Sequence, residues 1–321
     1  MKIVTEYYSV SGFGDADCMF LGKRFNEKWG YKPYEGECWA MLQKNNDKGD
    51  TYMYSVVGTN HEMKGVWYSE KGNIYTCSAD GYVRHAEVFK KEGGYSVSKA
   101  VRKEVEGSLT GIWGLNDENV FTWGATWEGK VVLHRWDGKT WEAMPAPRFR
   151  ITSMHGISPD CIYAAGYDSG IAVWNGKKWK KFKVPAEEFF TSIFVVDKKE
   201  QYAVGVNNYV LKGNGTAWEV IALGPGHNSR MHMPLRAVAK WKDQLWIGAG
   251  SYGLLRRVEE TDQLEVVKSN FNVDAMDARR NLVMACSEYI VESSNGTNFT
   301  AFAIDSLAKA RKGKKLMEGF K

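Results

Sequence analysis

Proline is scarce in this chain, 7 residues of 321, and the common chemical motifs are missing altogether. There is no Gly-x-Ser-x-Gly, no P-loop and no dinucleotide fingerprint, which excludes the standard nucleophile and phosphate cradles. None of the six histidines forms His-x-His or His-Glu-x-x-His, so no metal site is expected from spacing. No apolar run reaches the length of a membrane span. The start, Met1-Lys2-Ile3-Val4-Thr5-Glu6, turns polar too early for a secretory leader. The cysteines Cys18, Cys38, Cys77, Cys161 and Cys286 are odd in number, widely spaced and without Cys-x-x-Cys. They fit buried thiols in a reducing, cytoplasmic setting rather than a disulfide framework. The three Asn-x-Thr sequons, at Asn214, Asn295 and Asn298, are then hairpin chemistry.

The body also lacks a charge excess. The net charge is +5, and Lys309, Arg311, Lys312, Lys314, Lys315 and Lys321 against Glu318 account for all of it. A neutral body excludes a nucleic-acid-binding face. The tail reads as a solvated terminus or as an arm for an acidic partner.

What is present is a core-forming, aromatic, glycine-rich composition. Hydrophobic residues make up 44%, aromatics 13%, and there are 33 glycines. Aromatic and β-branched runs cut by glycine predict strands and tight turns. A repeat organises them. Leu109 to Leu115, Val120 to Gly124, Gly129 to Trp136 and Thr140 to Met144 read as four strands, joined by Asn116 to Asn119 and by the hairpin Asp137-Gly138. The pattern recurs through Cys161 to Gly166, Asn175-Gly176 and Trp179, then through Gln201 to Gly205, Asn214-Gly215 and Trp218. The glycines Gly124, Gly166, Gly205 and Gly248 fall 42, 39 and 43 residues apart, and Trp141, Trp179 and Trp218 fall 38 and 39 apart. Asn-Gly and Asp-Gly suggest type I′ hairpins. One four-stranded sheet cannot bury both of its faces, so such units must stack around a ring.

The expected fold is therefore all-β, a single closed β-propeller of seven four-stranded blades, at about 1–60, 61–108, 109–147, 148–188, 189–232, 233–270 and 271–305, with a basic tail at 306–321. Six blades would follow if the less regular N-terminal unit were an appendage.

The phrasing Gly111-Ile112-Trp113-Gly114, Val120 to Gly124 and Trp136-Asp137-Gly138-Lys139-Thr140-Trp141 resembles bacterial propellers with degenerate galactose-oxidase-like, kelch-like or Asp-box-like repeats, over about 60–305. The Asp-box pattern is half present, and kelch double glycines occur once, at Gly93-Gly94. Signal-less propellers of this kind are similar to immunity proteins encoded beside secreted toxins. That resemblance implies a non-catalytic chain that binds and neutralises a protein toxin, with no cofactor.

In an up-and-down blade, alternate turns lie at opposite ends. The second-to-third-strand loops share an end with the blade-to-blade connections, and that end collects the long aromatic segments. Its expected partner-binding residues are Trp29, Tyr31, Tyr34, His61, Trp127, Arg148, Arg150, His227, Arg230 and His232. Trp, Tyr and Arg are the side chains enriched at interface hot spots. Two other functions compete: a glycosidase-, lyase- or lactonase-type enzyme with its site on the axis, and a glycan-binding lectin. The acidic pairs Asp15/Asp17, Asp117/Glu118 and Asp274/Asp277 sit at or beside turns and are read as turn chemistry.

Overall fold

A computed structural model of the chain describes residues 3–26, 37–225, 227 and 234–303. Every regular element among them is a β-strand, and the strands fall in chain order into seven sheets. Blade 1 is a complete four-stranded meander, Ile3–Gly12, Cys18–Asn26, Glu37–Asn45 and Thr51–Thr59, and not an appendage. Blades 3 to 7 begin with the strands Ser108–Asn116, Ile151–Ser158, Phe190–Asp197, Ala237–Trp241 and Val273–Ala278, each followed by three more. The chain is a seven-bladed β-propeller.

Blade 2 departs from four strands. Its third strand, Tyr82–Lys91, is long enough to carry two short partners, Gly94–Val97 on its far half and Val101–Glu104 on its near half. The outermost strand is thus broken around Ser98, whose N–H bonds the Glu87 carbonyl at 2.8 Å.

Burial follows the position of a strand within its blade. Second strands such as Cys161–Gly166 and Leu282–Cys286 are buried at every residue, and Cys161–Gly166 has a blade packed on each face. Such strands read as continuous apolar runs rather than as alternations. Fourth strands such as Trp141–Ala143 keep only a half-buried aromatic and are otherwise exposed. All five cysteines are buried, and none forms a disulfide.

Contacts gather the chain into two compact units, Met1–Glu104 with Asp277–Lys321, and Val105–Met276. In the second unit, aromatic and aliphatic side chains fill the blade seams. Phe121, Phe149 and Ile162 lie between blades 3 and 4. Tyr163, Phe182 and Trp218 lie between blades 4 and 5, with Tyr163 and Phe182 parallel at 5.9 Å. An inner strand edge would present unpaired N–H groups. Side chains of the preceding blade take them up: Ile193 N donates to Ser153 Oγ at 3.2 Å, Val195 N to His155 Nδ1 at 3.1 Å and Val238 N to Ser192 Oγ at 3.2 Å. Thr152 and Thr191 add a staple at the bulge of their strands. The Thr152 hydroxyl proton is shared between Ala165 O at 3.0 Å and Phe190 O of the next blade at 2.6 Å. Thr191 does the same with Val204 O at 3.1 Å and Leu235 O at 2.6 Å.

In the first unit, the two ends of the chain meet. Tyr7 N donates to Ser287 O and Asn281 N to Phe13 O, both at 3.0 Å. Arg279 clips three blades there. It donates to Tyr68 O at 2.6 Å and to Ser11 Oγ at 2.8 Å, and its guanidinium covers the Phe13 ring at 4.6 Å.

The hairpins differ from the expected type I′ turn. That turn needs positive φ at two successive residues, but in Asp137–Thr140 only Gly138 has it, with φ 95°. The loop is four residues long between the paired Trp136 and Trp141. Asp137 Oδ1 instead accepts the N–H groups of Lys139 and Thr140, both at 2.8 Å. Asn175, Asn214 and Asn295 repeat this with the second and third residues that follow each. Asp and Asn are there to cap two donors with one side chain.

Candidate functional site

Two kinds of loop end set the chemistry available in the Val105–Met276 unit. The hairpin ends are short and internally capped, as above. The other end carries the loops between second and third strands and the blade connections. A glycine at the end of each second strand lets a connection pass. A Cβ on Gly124 would lie 2.0 Å from Ser108 O, one on Gly166 1.9 Å from Arg150 O, and one on Gly205 2.4 Å from Phe189 O. The repeated glycine therefore marks close backbone approach.

Trp127 is the extreme case, at 99% exposed. It occupies the second position of a tight turn closed by Gly129 N to Thr126 O at 3.0 Å and by Thr126 N to Lys130 O at 2.8 Å. Beside it on the loop, Glu128 has its carboxyl held below the ordinary range by hydrogen bonds from its own N–H and from Thr126. Arg148 and Arg150 flank Phe149, which is buried, so both arginines point outward and are exposed. An Arg150 guanidinium nitrogen lies 3.6 Å from where a Cβ on Gly129 would stand, which brings it against the Trp127 turn. No hydrogen bond or ion pair holds either guanidinium among the described residues.

One connection further on, Tyr167 is 41% exposed and packs on Phe189 at 4.1 Å between ring centres. Beneath them Glu188 is buried. Its carboxylate accepts the N–H groups of Phe189 and Asn207, both at 2.8 Å. Burial raises its pKa, and these backbone donors partly offset the rise. His227 is half-buried, with Nδ1 2.8 Å from Asn207 O and its ring edge-on to Tyr209 at 4.6 Å. In the other unit His61 is exposed, with Nδ1 3.5 Å from Asp80.

Of the ten expected residues, Arg150 is brought against the Trp127 turn and Arg148 stands on the same connection as Arg150. His227 serves the next loop and His61 stands elsewhere. Trp29, Tyr31, Tyr34, Arg230 and His232 lie outside the described residues, as does the basic tail. Sequence reasoning missed Tyr167, although it directly follows Gly166 in the same loop that carries Trp127 in the preceding blade. It also missed Thr152 and Thr191, whose spacing of 39 matches that of the glycines.

The acidic residues at the turns near 15–17 and 274–277 are engaged structurally. Asp274 pairs with Arg236 at 2.6 Å, and Asp277 accepts from Gly12 N at 3.0 Å and pairs with Arg279 at 3.0 Å. A cavity of about 340 Å³ in the first unit holds Lys44, whose Nζ is bound by Asp17 at 2.8 Å and Tyr68 Oη at 3.3 Å. A second, of about 390 Å³ between blades 3 and 4, is walled by Phe121, Met144 and Trp174, with Arg135 donating to Asn119 at 2.7 Å. No three metal-ligating side chains converge among the described residues.

No family model matches the chain. Its fold is shared with the WD40 β-propeller domain of Doa1, with a TM-score of 0.66 at 12% identity over 91% of this chain and 94% of that one. It is shared too with the computationally designed Ika8 protein, with a TM-score of 0.56 at 12% identity over 93% and 96%. At that identity the likeness concerns architecture alone. In sequence, 102 residues are 29% identical to the immune protein Tsi7 of Pseudomonas aeruginosa PAO1. That match covers 29% of this chain and 33% of the relative, so it spans about a third of the relative's length.

Proposed function

We propose that this chain is an immunity protein, a non-catalytic propeller that binds a protein toxin in the cytoplasm and blocks it. The observation that carries the reading is the 29% identity to the immune protein Tsi7 over 102 residues. Two features of the molecule support it. Asp274, Asp277, the Lys44–Asp17 pair and His155 are engaged in holding blades together, whereas catalysis needs such groups to converge on one reacting atom. The loop end of blades 3 and 4, by contrast, leaves an indole and two guanidinium groups without partners among the described residues. A protein inhibitor acts by occupying its target's working surface, and rigid loops on a stacked-blade scaffold offer such a surface at small entropic cost.

The test is growth. The protein encoded beside this gene is expressed alone and together with the chain. The reading expects arrest by the neighbour alone and restored growth with both. A neighbour that remains toxic in the presence of soluble, folded chain refutes it.

A further inference from the structure

The geometry points to the partner's surface as acidic and pocketed, receiving the Trp127 indole in a hollow whose rim carries carboxylates for Arg148 and Arg150. This inference rests on the protein-binding reading and adds the chemistry of the partner to it.

Three observations combine at this place. The indole is 99% exposed although the chain buries most of its large apolar side chains. An indole left in water gains free energy when it is buried, and tryptophan is the side chain most concentrated in interface hot spots. The turn that carries it is closed by two backbone hydrogen bonds of 2.8 and 3.0 Å. Its backbone is therefore set before a partner arrives, and little is lost in ordering it. Along this turn and the connection that meets it, the charge has one sign in excess: Lys130, Arg148 and Arg150 against Glu128, with the Arg150 guanidinium against the turn itself. Neither arginine has a partner among the described residues.

A guanidinium fork matches a carboxylate in geometry as well as charge. A partner that met this patch with cations would leave like charges facing each other, which is penalised at an interface. The chain's body is electrically neutral, so the excess is local and marks one docking place rather than a general affinity for polyanions. Three cations around an indole are also too few to track a nucleic-acid backbone.

The test uses the full chain and the purified toxin encoded beside it, with binding followed kinetically at about 50 and 300 mM salt. Three proteins are compared with wild type: Trp127→Ala, the double variant Arg148→Glu/Arg150→Glu, and the hairpin-end control Lys139→Glu/Lys178→Glu. All five positions carry exposed side chains, and matched thermal unfolding confirms that each variant folds. Trp127→Ala is expected to weaken binding about thirtyfold or more, chiefly through faster dissociation. The arginine reversal is expected to slow association about tenfold at low salt and to abolish most of its salt dependence. The control should stay within about twofold of wild type. Tight binding that both patch variants retain overturns the inference while leaving the immunity reading intact. A complete absence of binding removes both. Arginine reversal that speeds association shows a basic partner surface and contradicts the inference. A Trp127-dependent affinity for an oligosaccharide or an oligonucleotide, with none for the toxin, overturns it in favour of another ligand class.

Discussion

At the scale of single residues, the molecule spends its polar side chains on joints between blades. Glu188 shows the cost. It is 4% exposed, and its carboxylate accepts two main-chain N–H groups at 2.8 Å. Burial pushes its pKa above the ordinary carboxylate value, so the native state holds this proton more tightly than the unfolded chain does. The stability it contributes is therefore greatest below the unfolded pKa and falls as pH rises through the folded one. Glu188→Gln keeps an oxygen for the two donors and removes the charge. In urea unfolding, its stability relative to wild type should increase from about pH 4 to about pH 7. Glu188→Ala orphans both donors and should cost about 2–4 kcal/mol. A Gln variant that tracks wild type at both pH values would contradict this account of the site.

At the scale of the element, the blade is a strand meander whose sequence marks are steric and local. Gly166 ends a second strand, and a Cβ there would meet the Arg150 carbonyl at 1.9 Å. Backbone cannot yield as a side chain end can. Gly166→Ala should lose at least about 2 kcal/mol in equilibrium unfolding, whereas Gly49→Ala, in open space but at φ 81°, should lose only about 1. Equal losses would mean that the repeated glycine answers to conformation and not to close approach. The same locality explains what was legible in the sequence. Blade count and strand order were readable because glycine, the Asp/Asn-Gly hairpin and the following tryptophan recur at nearly fixed spacing. The turn type was misread, since Asp137-Gly138 is compatible with two hairpin geometries and only the side-chain cap separates them. The broken outer strand of blade 2 was invisible because Val101–Glu104 is exposed and carries no apolar pattern. The threonine staples were missed since a hydroxyl bridging two carbonyls leaves no periodic apolar signal. Of the candidate site, Trp127, Arg148 and Arg150 could be named from loop placement, but their lack of partners among the described residues is a tertiary fact that leaves no mark in the sequence.

At the scale of the molecule, a repeated scaffold divides stability from recognition. The seams and inner-strand staples make the blades interdependent, while the loop ends vary from blade to blade. In the Val105–Met276 unit, one end is capped and polar and the other displays Trp127, Tyr167 and two arginines without partners among the described residues. The central claim is that the chain works by holding a protein on that second end. Hydrogen exchange of the chain alone and with the protein encoded beside it, the proposed toxin, tests this most directly. The account predicts slowed exchange at residues 125–130, 147–150 and 167–169, with the hairpins 137–140, 175–178 and 214–217 unchanged. Slowed exchange confined to those hairpins, or no change anywhere with the toxin at saturation, would contradict it.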